Sequence, residues 1–202
     1  MNISEAIKQL KAQTAKSIFD QTVELHISLG TDPTKQEQNV RVTLTLPHGT
    51  GKEKRVLLIS SSSSPLSGDA AIEAITAGTL KPKIDFDAVV ATPDVMPRLA
   101  KVAKILGPAG MMPNPKTGTV VTDPERAVAE IKKGQIELKT EKGASNIHTI
   151  IGKLSFSQES LVANYKAVID TLNSAKPAKI KGKFIHAVTL KATQSAGIVV
   201  DA

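Results

Sequence analysis

The run ILGPAGMMPNPKTGTV, from Ile105 to Val120, holds the least generic local chemistry in the chain. Gly107, Pro108 and Gly110 punctuate the end of an apolar helical pattern. Pro113 and Pro115 then remove two backbone donors and push Met112 and Asn114 toward extended geometry. No helix is expected to run through it. Lys116, Thr117, Gly118 and Thr119 follow as a polar turn before the β-branched pair Val120 and Val121. Two readings fit such a loop equally well. Its prolines fix backbone angles in advance and lower the entropy cost of presenting Asn114 and Lys116 to a partner. Alternatively, it is a structural connection whose Met111 and Met112 plug gaps in a core.

Around the run, apolar strands and helices alternate. Arg55 to Ser60 is a nearly continuous apolar strand of the kind buried on both faces of a parallel sheet. After the serine run Ser60 to Ser64 come a helix over Asp69 to Ala77, a buried strand over Ala88 to Ala91 and a helix over Pro93 to Leu106. Beyond the loop, Asp123 caps a helix from Pro124 to Lys133, Gly134 closes it, and Ile136 to Lys139 is a strand. This alternation is the doubly wound pattern.

The two ends of the chain have a different style. Ser4 caps a short amphipathic helix with Ile3, Ala6, Ile7 and Leu10 on one face. Thr22 to Ser28 and Val40 to Leu46 alternate apolar and polar residues, which suggests an antiparallel pair joined by a charged loop. From Asn146 come a strand over Ile147 to Ile151, a helix over Gln158 to Leu172 and a last strand over Phe184 to Lys191. The fold class is therefore α/β: an α+β split β-α-β domain, 1–49 and 144–202, with a doubly wound, Rossmann-like domain inserted at 50–143. Glycine-bearing crossings at Gly49 to Gly51 and Gly143 to Ala144 suggest a two-stranded hinge.

Composition narrows the function. A net charge of +7 points to an anionic partner, and lysines 153, 176, 179, 181, 183 and 191 gather around the last strands, although lysine runs are usually solvated faces. With only Phe19, Phe86, Phe156, Phe184 and Tyr165 as aromatics, a stacking platform for single strands can hardly be built, so structured RNA read through phosphates, 2′-hydroxyls and shape fits better. The chain has no cysteine, and His26, His48, His148 and His186 lie far apart in sequence, so no metal site and no cofactor are expected. No membrane-length apolar run or signal-peptide pattern is present, and a cytoplasmic location without a membrane partner is expected.

Chemical motifs fail on spacing. Around Gly51 and Lys52 the phosphate-loop pattern has Leu46 in place of its first glycine. Gly107 to Gly110 make a formal GxxG, but Pro113 and Pro115 deny it the helix that clamp requires. A small doubly wound enzyme binding a nucleotide or sugar-phosphate, using Asp85 or Asp87 and the Ser60 to Ser64 loop, is the competing reading.

Four separated motifs in order carry a resemblance over nearly the whole chain: the run at 105–120, QNVR (38–41) with LPHGTG (46–51), IHTIIGK (147–153), and Thr193 near the end. They resemble the universal family of ribosomal protein one of the large subunit, bacterial type, the protein of the mobile stalk beside the tRNA exit site. The resemblance implies a non-enzymatic rRNA-binding protein without a small-molecule substrate. It also implies assistance in releasing exit-site tRNA and, as in some members, repression of its own messenger. Lysines and resemblance together single out Phe19, Lys35, Arg41, His148, Lys153, Lys179, Lys181, Lys191, Thr193 and Gly197 for RNA, and Gly107, Gly110, Pro113, Asn114, Pro115, Lys116 and Gly118 as the signature loop. The chain departs from the family pattern at Ala109, where Arg is usual, and at Gln194 and Ser195, where TMGxG has Met and Gly. It also lacks the family's basic N-terminal lead, and the inserted domain is shortened around Ser60 to Lys83.

Overall fold

The computed structural model describes residues 1–15, 17–35, 38–60, 68–141, 143–177, 180 and 182–201, with the backbone alone at 68, 69 and 116. Helix and sheet are mixed in two compact units, Met1–Lys52 with Gly134–Ala202, and Glu53–Lys133.

The first unit is built on a four-stranded antiparallel sheet. Its order is β6 (Asn146–Lys153), β1 (Thr22–Leu29), β7 (Ile185–Ala192), β8 (Ile198–Val200). Strict alternation in β1 sends Val23, Leu25, Ile27 and Leu29 into the core, where α1 (Ile3–Gln13) and α6 (Gln158–Ser174) cover them with Ala6, Ile7, Leu10, Leu161, Val168 and Leu172. Asn2, not Ser4, caps α1, its carboxamide oxygen accepting from the Ser4 N–H. Ser157 caps α6 through the Ser160 N–H.

The expected antiparallel pair of β1 with β2 (Arg41–Thr45) does not form. Both edges of β1 are taken by β6 and β7, and β2 pairs instead with β5 (Gln135–Lys139), Arg41 opposite Lys139 and Thr45 opposite Gln135. Alternation reports which face of a strand is buried and is silent on which strand fills its edges. β5, expected in the middle of the chain, thus lies with the terminal unit, and Gly143 and Ala144 turn it into β6, the Glu141 N–H donating to Asn146 O. The chain re-enters this unit at Gly134 (φ 100°), where an added Cβ would lie 2.5 Å from the Gly49 Cα, so the two backbones pass with no room for a side chain.

The second unit carries the parallel pair β3 (Val56–Ile59) and β4 (Ala88–Ala91), extended by a parallel bridge from Ala91 to Val120. Both faces are covered. Ile59, Val89 and Ala91 pack with Ile72 and Ile75 of α2 (Gly68–Thr76) and with Leu99 and Leu106. Val90 packs with Ala127 and Ile131 of α5 (Pro124–Lys132). Asp123 precedes α5 without a side-chain cap bond. The expected single helix from Pro93 is instead four short pieces: 3-10 turns at Pro93–Val95 and Ala100–Val102 alternate with α3 (Met96–Leu99) and α4 (Ala103–Ala109). Pro97 lacks the N–H that would continue a helix from Pro93. α4 takes in Gly107 and Pro108 and stops at Gly110 (φ 74°). There the Gly110 N–H returns to Gly107 O and the Met111 N–H to Leu106 O.

One buried side chain ties the first unit together. Asn164 of α6 is fully buried; its Nδ2 donates to Ile151 O (2.8 Å) and Gly49 O (3.1 Å), and its Oδ1 accepts from the His48 N–H (3.1 Å). Asn164→Ala leaves those three backbone groups without their partner and is expected to cost ~2–4 kcal/mol in the urea transition of this unit. A change near zero would show that the amide is not what holds the chain at His48 and Gly49.

Candidate nucleic-acid interface

Because β1 alternates, the face of the four-stranded sheet away from the helices is a polar platform laid out in register. Thr22 stands opposite Lys153. Glu24 stands between Ile150 and Lys191, His26 between His148 and Thr189, and Ser28 between Asn146 and Ala187. The β1 members are half-buried, while His148 and Ile150 are exposed.

At the Thr22 end, three distant segments are knitted into one surface. The Thr193 Oγ1 accepts from the Thr22 N–H (3.2 Å), the Thr193 N–H donates to Thr22 O (3.2 Å), and the Gln194 N–H donates to Gln21 Oε1 (2.9 Å). Lys153 Nζ donates to Thr22 Oγ1 (2.8 Å) and Asp20 O, while both Asp20 carboxylate oxygens accept from Ser155, from its N–H and its hydroxyl. On this rigid base Phe19 is 49% exposed and Ile18 fully exposed. Such a surface offers ammonium groups, hydroxyls and one aromatic ring, a set suited to phosphates, ribose hydroxyls and a single stacked base.

Midway along the platform His26 and His148 meet edge to face, ring centroids 4.9 Å apart and Nδ1 to Nδ1 2.7 Å. Each Nε2 faces a carboxylate: His26 faces Glu24 at 3.7 Å and His148 faces Glu141 at 3.6 Å. Burial, then His148 and Lys191, hold the His26 pKa below the ordinary histidine value against the opposing pull of Glu24.

Of the residues expected to read RNA, the structure brings Phe19, His148, Lys153, Lys191 and Thr193 to this sheet. Gly197 lies beside it, where an added Cβ would meet the Thr189 methyl at 2.9 Å, so the glycine permits a close approach of the chain to β7. Lys35 and Arg41 lie elsewhere. Lys35 follows the other end of β1 and pairs with Asp32 (3.4 Å), whose carboxylate, held by the Thr34 hydroxyl and N–H, titrates below the usual range. Arg41 stands on β2 and its Nε donates to Glu137. Lys179 and Lys181 lie outside the described residues, as does the Lys116 side chain. Sequence reasoning missed His26 as a member of the platform, although its place in the β1 alternation puts it on the polar face.

The signature loop belongs to the second unit. Met111 and Met112 pack against the core containing Leu99 and Leu106, as the structural reading expected. Pro113 is buried, and a 3-10 turn at Pro115–Thr117 folds over Asn114. The Asn114 carbonyl accepts from the Thr117 hydroxyl (2.9 Å) and the Thr117 N–H (3.1 Å), and the Asn114 N–H donates to Thr119 Oγ1 (2.8 Å). Gly118 (φ 67°) completes the turn. The carboxylates of the competing reading are structural: Asp85 Oδ2 accepts from the Lys81 N–H (2.7 Å), and Asp87 Oδ2 accepts from the Arg55 N–H and Nε. The Ser61 to Ser64 loop lies outside the described residues.

Comparison with known proteins gives a match to the model of the "Ribosomal protein L1p/L10e family" over residues 10–196. The chain is 45% identical to the large ribosomal subunit protein uL1 of Corynebacterium urealyticum, over 98% of its own length and 84% of the relative's. It is likewise 45% identical to the uL1 proteins of Salinispora tropica (98% and 85%) and Streptomyces griseus (98% and 84%).

The hydroxyl cluster makes the loop testable. Thr119→Val keeps the shape and removes the partner of the Asn114 N–H, and is expected to lower the stability of the Glu53–Lys133 unit by ~1–2 kcal/mol in denaturant unfolding. An unchanged midpoint would show that the prolines alone hold the loop.

Proposed function

The chain belongs to the ribosomal protein L1p/L10e family, a structural, non-enzymatic one, and on that premise we propose that it is a constituent of the large ribosomal subunit whose sheet platform binds the rRNA of the mobile stalk. The observation that carries this reading is the meeting of Phe19, Lys153 and Thr193 at one end of β1, from segments far apart in the chain, on a base of mutual hydrogen bonds. Fixed donors and cations bind phosphate without first ordering themselves. The first glycine of the family's TMGxG and its methionine are replaced, and their places are taken by Ser195, whose Oγ accepts from the Ala192 N–H, and Gln194, whose N–H is spent on Gln21. The turn is therefore stiffened by side-chain bonds.

We read the terminal unit as the split β-α-β domain that grips rRNA, and the middle unit as a doubly wound domain carrying the signature loop toward the exit-site tRNA, whose release it assists. Repression of its own messenger belongs to the same reading, since a messenger that mimics the rRNA fold would meet the same platform. The protein works in the cytoplasmic ribosome.

Binding of a stalk rRNA fragment against an unrelated hairpin, measured across a salt series, tests the assignment. Lys153→Gln and Lys191→Gln are each expected to lower the slope of log K against log salt by roughly one unit or slightly less. Phe19→Ala is expected to weaken binding by ~1–3 kcal/mol at every salt concentration, with the slope kept, because stacking carries no charge. If all three folded variants match the wild type, the platform is not the RNA surface.

A further inference from the structure

We propose that His26 and His148 form a binding site for a single borderline divalent cation of the Zn²⁺ class, clipping β1 to β6 on the open face of the sheet. The argument starts from tautomers. Each imidazole turns its Nε2 toward a carboxylate, Glu24 for His26 and Glu141 for His148, and a carboxylate at that distance favours a proton on Nε2. The two Nδ1 atoms meet at 2.7 Å, in the metal-free protein an Nδ1–H···Nδ1 hydrogen bond with one ring as donor. Moving that one proton to the donor's Nε2, beside its carboxylate, bares both Nδ1 lone pairs.

The same arrangement is what a metal ion requires. A ligating histidine commonly gives its other ring N–H to a carboxylate, which fixes the ring and raises its basicity, and here a carboxylate lies 3.6–3.7 Å from each Nε2, a small side-chain movement away from that bond. Two nitrogens on a tetrahedral Zn²⁺, with Zn–N of ~2.0–2.1 Å, stand roughly 3.3 Å apart. The rings therefore need to separate by only roughly 0.6 Å from the 2.7 Å seen. Among the described residues no three His, Cys, Asp or Glu side chains converge on one point, so the protein supplies two ligands. The remaining positions open into a notch of about 200 Å³ beside the rings, lined by Ser28, Asn146 and Thr189, whose oxygens and bound water complete the shell. Imidazole nitrogen selects Zn²⁺, Ni²⁺ or Cu²⁺ over Mg²⁺ and Ca²⁺, which demand oxygen.

The histidines are 122 residues apart, so the ion would bridge β1 to β6 and stabilise the folded unit. Binding balances simply: one metal ion enters, the proton on the donating Nδ1 moves to the same ring's Nε2, and two N–metal bonds replace one N–H···N bond. The charged groups around the pair are Glu24 on β1, Glu141 before β6 and Lys191 on β7; the two carboxylates favour the ion and Lys191 opposes it.

The test is calorimetric titration of the full chain with ZnCl₂ in two buffers of different ionisation enthalpy, with MgCl₂ as control and imidazole ¹⁵N spectra of the wild type alongside. Expected are one saturable Zn²⁺ site with the same binding heat in both buffers, no Mg²⁺ response, and shifts at Nδ1 of His26 and His148 with His48 and His186 unmoved. His26→Gln and His148→Gln should each weaken binding by at least about tenfold, and Glu24→Gln and Glu141→Gln by about tenfold. Any of three results overturns the proposal: no Zn²⁺ heat with the wild type, a Zn²⁺ site that survives both histidine substitutions, or Nδ1 signals of the pair unchanged at saturation. The wild-type spectra decide the matter even where a variant fails to fold.

Discussion

The terminal unit depends on one amide. Asn164 reaches from the middle of α6 to the end of β6 and to the chain at His48 and Gly49, and satisfies three backbone groups, the Ile151 carbonyl in a fully buried bond. An apolar residue in that place would pack as well and leave those groups orphaned. With the amide in place, α6 is held over β6 and the exit of the chain toward the other unit is pinned beside Gly134. The helix covers one face of the sheet, and so the alternation in β1 leaves its other face free for polar work.

That division of labour explains why the platform is rigid where it matters. At the Thr22 end the polar side chains bond to one another and to backbone before any partner arrives, so recognition there does not wait on ordering. Midway along, the His26–His148 pair is a different kind of feature, two basic rings pressed together by strand register and each backed by a carboxylate. Strand register holds the two Nδ1 atoms within hydrogen-bond reach of each other.

Much of this was legible in the sequence, and the reasons it stopped are physical. Period-two alternation announces β1 and its buried face, and the apolar VLLI of β3 announces a strand covered on both sides, because burial leaves its mark on every residue of a strand. Pairing leaves no such mark. β2 and β5 look as if they belong to different domains until register joins Arg41 to Lys139, and β8, three residues after a turn, is too short to declare itself. Resemblance singled out Phe19, Lys153 and Thr193, which the fold gathers at one end of the sheet, whereas Lys35 and Arg41 lie elsewhere, beside Asp32 and Glu137. His26 was passed over because its meaning lies in a neighbour 122 residues away.

The sheet order has a consequence for how the protein is made. β1 is central, yet both strands that flank it, β6 and β7, come from the last third of the chain. On a translating ribosome the middle unit, Glu53–Lys133, can close on itself as soon as it emerges, since its contacts are internal. β1, already outside, must stand with two open edges until β6 and then β7 arrive. The native neighbours of β1 are thus synthesised long after it, and the polar residues that alternate along β1 favour the solubility of that waiting strand.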